Sequence, residues 1–213
     1  LIFKDRKDAG LRLAKALYKF RESSPVVFGI PRGGVEVGYY VALELDCPLE
    51  VTIPRKIGAP LQPELAVGAV AEDGTIYVEE EVARMVGVDE RYIRSEAEKE
   101  LQVINRRLKL YRGGRELGDL SKYTVIVVDD GVATGATMIA TLRFMRKKNP
   151  HTLVCAVPVS PPETIPKLSM EADEVVCLET PTPFYAIGQF YEDFRQLRDE
   201  EVVEYLSRTK KIT

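Results

Sequence analysis

The chain has 213 residues, enough for one sizeable domain with a small accessory lobe. Hydrophobic residues make up 45% and charged residues 30%, and the formal net charge is −3, so no broad basic footprint for nucleic acid is implied. No apolar run is long enough to cross a membrane, and no N-terminal signal pattern is present. Cys47, Cys155 and Cys177 are widely spaced in apolar surroundings, which reads as core residues in a reducing compartment and makes the cytoplasm the expected location. His151 is the only histidine and follows Asn149-Pro150 at a turn, so a His-rich metal site is excluded.

Asp8 is suited to cap a first helix from Ala9 toward Phe20, with Leu13, Leu17 and Phe20 on one side. Ser23-Ser24-Pro25 ends it, and Val26 to Ile30 reads as a short apolar strand. That strand runs straight into Pro31-Arg32-Gly33-Gly34, and a helix follows from about Val35 to Leu45. Gly33 and Gly34 expose backbone N–H groups and Arg32 adds a fixed positive fork, an arrangement that suits an anion. A plain strand-to-helix turn with a surface arginine is the simpler reading of the same residues. Leu49 to Ile53 reads as the next strand, with Pro54-Arg55-Lys56 at its carboxyl end, where two cations could neutralise a diphosphate or merely face solvent. Gly58, Pro60 and Pro63 mark a mobile loop. Glu72-Asp73-Gly74, between Glu64–Ala71 and Thr75–Val78, reads as a hairpin turn.

From Asp89 the pattern changes. Ile93, Ala97, Leu101, Ile104, Leu108 and Tyr111 recur every three or four residues, so a long amphipathic helix is expected, ending at Arg112-Gly113-Gly114. Asp89 and Glu90 favour its start and Arg106, Arg107 and Lys109 its end. The stretch Val125 to Thr137, VIVVDDGVATGAT, then organises the rest of the chain. Val125 to Val128 read as a parallel strand buried on both faces, because apolar residues continue without alternation. Asp129 and Asp130 stand at its carboxyl end, where open α/β sheets place ligands. Gly131, Val132, Ala133, Thr134, Gly135, Ala136 and Thr137 form a small-residue loop into a helix, whose free N–H groups favour a phosphate. Strand-end acids also cap turns, which is the structural alternative for each Asp. The order GxxxxGK[ST] is absent, so this is not a Walker A loop.

Met138 to Lys148 continues as a helix, Thr152 to Val157 as a strand ended by Pro158, and Pro161-Pro162 opens a short helix to about Met170. Glu174 to Leu178 is another strand, and Asp199 is suited to cap a final helix around Glu201 to Leu206. The alternation predicts an α/β fold with a mainly parallel sheet covered by helices on both faces. The aromatic stretch from Thr180 to Arg195 carries Phe184 and Tyr185, whose rings either stack a flat heterocycle or pack the loop onto the domain.

The IPRGG turn, the PRK strand end and the DDGVATGAT signature stand in the order seen in type I phosphoribosyltransferases, and together they span most of the chain. The chain resembles that family, and most of all its predicted members of uncertain substrate. The resemblance implies a single phosphoribosyltransferase-like domain over 1–213, a flexible loop, hairpin and long-helix insertion over 57–118, and a small hood lobe with a C-terminal loop over 179–198. It implies that phosphoribosyl diphosphate is bound by Pro31, Arg32, Gly33, Gly34, Arg55, Lys56, Asp129, Asp130 and the loop from Gly131 to Thr137. A cis peptide beside Arg32 is part of that pattern. Catalysis falls to Asp129, Asp130, Arg32 and Lys56, with Mg2+ as cofactor and Asp129, Asp130 and Glu192 near the metal. Phe184 or Tyr185 would cover a small heterocyclic base; no clear general base emerges, and either the acceptor arrives as an anion or Glu192 or Asp193 assists with its proton. The implied reaction passes the 5-phosphoribosyl group to a nitrogenous base, releasing diphosphate, as in nucleobase salvage. The protein would act as a homodimer with no nucleic-acid or membrane partner. The alternative is a non-catalytic protein that binds the donor or a nucleotide and regulates a partner.

Two departures separate this chain from the hypoxanthine-guanine enzymes of that family. Ala133 occupies the loop position where they carry another Asp. Their purine-reading Lys has no counterpart in Cys155-Ala156-Val157-Pro158. The loop itself looks more like that of the adenine enzymes.

Overall fold

A computed structural model describes residues 2–212, so the outermost bounds of the expected domain, 1 and 213, lie outside the described residues. Five parallel strands form the main sheet: β1 (Pro25–Gly29), β2 (Leu49–Val51), β6 (Thr124–Val128), β7 (Thr152–Val159) and β8 (Glu174–Glu179), in spatial order β2-β1-β6-β7-β8. Both faces are covered, as the unbroken apolar strands require. Val27, Val51, Ile126, Val128 and Val154 share one core with α1 (Arg6–Leu17), α2 (Gly33–Leu45) and α7 (Asp199–Ser207). Val26, Phe28, Val125, Val127 and Cys155 share the other with α5 (Ala136–Arg146) and α6 (Ile165–Ser169).

The connections run outward from the centre. α2 carries the chain from β1 to β2 on one side, and α5 carries it from β6 to β7 on the other. The direction therefore reverses between the neighbouring strands β1 and β6, whose pairing runs from Pro25↔Thr124 to Gly29↔Val128. A crevice outside the carboxyl ends of two such strands is where doubly wound sheets take ligands.

A second sheet is antiparallel: β3 (Arg55–Ala59), β4 (Gln62–Val70) and β5 (Ile76–Val78), followed by α3 (Glu80–Val86) and α4 (Glu90–Arg112). The Glu72-Asp73-Gly74 turn lies between β4 and β5, as its Asp-Gly pair predicts, and Asp89 caps α4 through Tyr92 N at 2.9 Å. The residues around Gly58, Pro60 and Pro63, expected to be a loop, instead form a hairpin. Gly58 pairs with Ala66 and Ala59 with Gln62 across register shifts, which is how a glycine- and proline-bearing segment stays in a ladder.

Other boundaries also differ. Asp5, not Asp8, caps α1: Asp5 is extended, with φ −164°, and accepts from Asp8 N at 2.8 Å. α1 gives way to a 3-10 turn at Tyr18–Phe20. Pro158 does not end β7, because the ladder with β6 has already stopped at Ala156 and only β8 pairs beyond it. Asp199 is the first helical residue of α7, while Arg198 holds the cap position. α3 was not anticipated; its seven residues are too few for a periodic signal.

Residues 2–4 meet residues 190–193. Phe3 bridges Tyr191 in parallel, Glu192 N donates to Phe3 O at 2.8 Å, and Asp193 N donates to Lys4 O at 2.9 Å. Phe3, Ala9, Val159, Phe190 and Tyr191 form a small core beneath this contact.

Candidate active site

Two strand–loop–helix units meet at the reversal point. The first is β1, the Pro31-Arg32-Gly33-Gly34 turn and α2; the second is β6, the Asp129–Gly135 loop and α5. Neither helix start receives a side-chain cap. Val35 N donates back to Arg32 O at 3.1 Å, and the other first-turn N–H groups have no intrahelical partner, so each start presents positive dipole to the crevice. Both helices exceed ten residues, and both begin beside neighbouring strands of one sheet.

The turns interlock closely. A Cβ on Gly34 would stand 2.8 Å from Val128 O and 2.9 Å from the Asp129 Cα, so only glycine lets α2 start against the end of β6. The peptide between Pro31 and Arg32 is cis, the bond type anticipated at Arg32. In the second loop Gly135 adopts φ 88°, which a side chain resists, and turns the chain into α5. Val132 N donates to Val159 O at 3.0 Å and Thr164 Oγ1 donates to Ala133 O at 2.7 Å, pinning the loop from the β7 side. Ala133 and Thr134 remain exposed.

The acid pair is set apart by its surroundings. Asp129 Oδ1 accepts from Asp130 N at 2.8 Å. Burial, and then the neighbouring Asp130 charge, push the Asp129 carboxyl well above the usual carboxylate range. Burial also raises Asp130, against the pull of Arg6, whose Nε donates to Asp130 Oδ2 at 3.0 Å. Cys155 on the adjacent strand is raised too, by burial, which marks it as an inert core thiol.

The cations singled out in the sequence are already partnered. Arg32 Nη1 donates to Leu197 O at 3.1 Å, and its Nε lies 3.3 Å from Asp199 Oδ1. Arg55 and Lys56 do not stand free at the end of β2. They open β3, where Arg55 pairs with Glu100 at 2.7 Å and Lys56 with Glu64 at 3.2 Å. Glu64 is 93% exposed, so the Lys56 pair is weakly held, whereas Arg55 has the firmer partner. They line one cleft of about 410 Å³ with Gly58, Tyr92 and Glu96.

Phe184 packs on Phe190 with ring centroids 4.8 Å apart, the packing alternative for that ring. Tyr185 is 84% exposed and leaves its ring open to a ligand. Glu192 and Asp193 are exposed, and their backbone N–H groups hold the N-terminal segment. Among the described residues no three His, Cys, Asp or Glu groups come together as a protein-only metal cluster. His151 is exposed, with Thr152 Oγ1 3.1 Å from Nδ1, as its turn position predicts. No helix among the described residues is long and apolar enough to cross a membrane.

Sequence reasoning missed three participants. Arg6 and Tyr191 meet Asp130 from the two ends of the chain, and no local pattern signals such contacts. Asp199, read only as a helix cap, takes Arg32 and the Tyr111 hydroxyl.

The family model described as the phosphoribosyl transferase domain matches residues 3–195. A protein of Mycobacterium tuberculosis, provisionally named a phosphoribosyl transferase and found in strains CDC 1551 and H37Rv, is 42% identical over 207 residues. That match covers 97% of this chain but 47% of the relative, so the chain spans about half the length of the curated relatives it matches. The crystal structure of TT1426 from Thermus thermophilus is 41% identical, with a TM-score of 0.80 covering 97% of this chain and 98% of that one.

Proposed function

Because this chain belongs to the phosphoribosyl transferase domain family, we propose that it transfers the 5-phosphoribosyl group of phosphoribosyl diphosphate to a nitrogenous base and releases diphosphate. The observation that carries the reading is the pair of uncapped helix starts at the β1–β6 reversal point, with the half-buried Asp129 and the buried Asp130 between them. The donor has two anionic ends with a diol between, and this arrangement complements it.

The roles follow from placement. Gly131 to Thr137 and the start of α5 cradle the 5′-phosphate. Pro31 to Gly34 and the start of α2 receive the diphosphate, with Arg32, Arg55 and Lys56 as its cations. Asp129 and Asp130 orient the ribose and favour the positive charge that develops on it as the diphosphate departs. The cations have to exchange Asp199, Glu100 and Glu64 for the donor, and the exposed Glu64 is the easiest to displace.

Magnesium fits this donor set. It keeps several waters and takes one or two carboxylates together with substrate phosphates, so it needs no all-protein cage. Asp129 and Asp130 would hold it at the donor, with Asp130 also paired to Arg6, and Glu192 is a further carboxylate that would help hold the magnesium diphosphate. When bound, the ion neutralises charge on the diphosphate. Tyr185 is the ring best placed by exposure to cover the base, and Glu192 or Asp193 is available for its proton. Closure of the Gly58–Gly74 region over the donor would keep water from the activated sugar. Nucleobase salvage, the cytoplasm and a homodimer complete the proposal.

A second reading is a donor-binding sensor without turnover. The observation favouring it is that Arg32, Arg55 and Lys56 are all held by carboxylates. Diphosphate release from the magnesium donor, measured across purines, pyrimidines and pyridine carboxylates, separates the two. The transferase releases diphosphate only with a matching base, and Asp129→Asn/Asp130→Asn abolishes it. Tight donor binding without release across the panel favours the sensor.

A further inference from the structure

Arg6, the first residue of α1, is only 6% exposed and lines a small cavity of about 170 Å³ with Glu36, Tyr40, Asp193 and Arg195. Two of its three guanidinium nitrogens do different things. Nε donates to Asp130 Oδ2 at 3.0 Å, and Nη1 donates to Arg195 O at 2.7 Å. Cζ lies 4.2 Å from the Phe194 ring centroid, and Glu36 Oε1 stands 4.0 Å from Nη1, with Glu36 itself holding the Tyr205 hydroxyl. Asp130 is held at its backbone as well, where Tyr191 Oη donates to its carbonyl at 2.6 Å. Gly33 closes the other side: a Cβ there would lie 2.0 Å from Asp130 Oδ2 and 2.6 Å from Arg6 Nε.

We propose that Arg6 is a positioning residue for the donor site, fixing the Asp130 carboxylate against the Pro31–Gly34 turn and tying it to the C-terminal strap at 191–197. The inference rests on the reading above, in which Asp130 faces the donor's ribose. One planar fork joins a strand-end acid, a strap carbonyl and a strap aromatic ring. Lysine offers a point charge on a flexible stem and cannot donate to both oxygens in a fixed plane while presenting a flat face to the ring. The strap also receives Arg32 at Leu197 O, so Arg6 sets the relative position of the acid pair and the diphosphate turn.

The test is a calorimetric titration of magnesium phosphoribosyl diphosphate into the full chain, without acceptor, with a thermal melt of each variant. Arg6→Lys, Arg6→Gln, Asp130→Asn and the double variant Arg6→Gln/Asp130→Asn are compared with the unaltered protein. Both Arg6 variants are expected to weaken the donor about tenfold or more, with no rescue by lysine, since one charge-assisted hydrogen bond is of that order. The double variant should bind within about threefold of Asp130→Asn alone, because the two residues act as one unit. A merely structural Arg6 would lower the melting temperature and leave donor affinity intact, which overturns the inference. Full affinity in Arg6→Lys overturns it too, as does an additive double variant. Should the Arg6 variants fail to fold, Phe194→Leu decides. Phe194 is 37% exposed, and its loss leaves both Arg6 hydrogen bonds in place. About threefold weaker donor binding is expected from losing the stacking face, and unchanged binding overturns the inference. An unaltered protein that binds no donor overturns the proposed function together with this inference; normal binding by the unaltered protein and by the Arg6 and Phe194 variants, with Asp130→Asn weakened, overturns this inference alone.

Discussion

Arg112 ends α4 and reaches into the junction between the two sheets, where it meets Glu72 of the β4–β5 turn. Nη1 lies 2.6 Å from Glu72 Oε2 and Nη2 lies 3.0 Å from Oε1, a bidentate pair with side chains 3% and 7% exposed. Thr52 Oγ1 adds a bond to Glu72 Oε1 at 2.8 Å, and Arg112 also donates to Val51 O. Replacing Arg112 with Met fills similar space but leaves a buried carboxylate with one hydroxyl for company. Removing one partner of such a pair costs about 3–5 kcal/mol. That is about a fifth or more of the roughly 5–15 kcal/mol that holds a domain together. For a chain of this size it lowers the melting temperature by about 6–20 °C. Arg112→Met/Glu72→Leu removes the orphaned charge and should recover at least about 2 kcal/mol of the loss, because an apolar replacement of both partners is near neutral. Urea unfolding of the unaltered, single and double variants measures these differences. Arg94→Met is the control: its pair with Glu90 is 71% and 76% exposed, so it should cost less than about 1 kcal/mol. A single variant within about 1 kcal/mol of the unaltered protein, or a double variant no better than the single, would refute the reasoning.

Three further predictions follow from other parts of the molecule. The Arg146 hydrogen bond and the Leu153 N–H hold the Asp173 carboxyl below its ordinary value of 3.8. A depressed folded pKa gives stability that is present above the unfolded value and lost as pH falls through the folded one, so the urea-midpoint gap to Asp173→Asn should hold at neutral pH and close below about pH 4. A gap unchanged at pH 3 would count against this assignment. Tyr185→Ala should raise the acceptor KM about five- to 150-fold, the worth of one base–aromatic stack, and leave donor affinity and melting unchanged; Phe184→Ala should instead lower the melting temperature, since its ring packs on Phe190. Limited proteolysis should cut the Pro60–Pro63 hairpin tip, where Leu61 is fully exposed, more slowly with saturating donor and acceptor analogue. Cutting that ignores both ligands would remove the case for closure.

The sheet and its two loops were legible because their signals are local. Val125 to Val128 cannot hide an apolar face in any half-exposed strand, and Gly33, Gly34 and Gly135 stand where the backbone must pass closely or turn through positive φ. α4 was legible because its apolar stripe repeats over six positions from Ile93 to Tyr111. The second sheet was only half legible. Its β4–β5 turn announced itself with Asp73-Gly74, but Pro60 and Pro63 masked the ladder between β3 and β4. The occupancy of Arg55 and Lys56 by Glu100 and Glu64 was hidden, since sequence lists charges without pairing them. Arg6 was out of reach for the same reason: its partner lies 124 positions away, and only the folded sheet brings them together.

The most direct test of transferase chemistry is mass detection of the product formed from magnesium phosphoribosyl diphosphate and each base of the panel. The account predicts one or more bases converted to their ribose 5-phosphate adducts in step with diphosphate release, and no adduct from Asp129→Asn/Asp130→Asn. Diphosphate release that is independent of base, with ribose 5-phosphate as the sole sugar product, would contradict it.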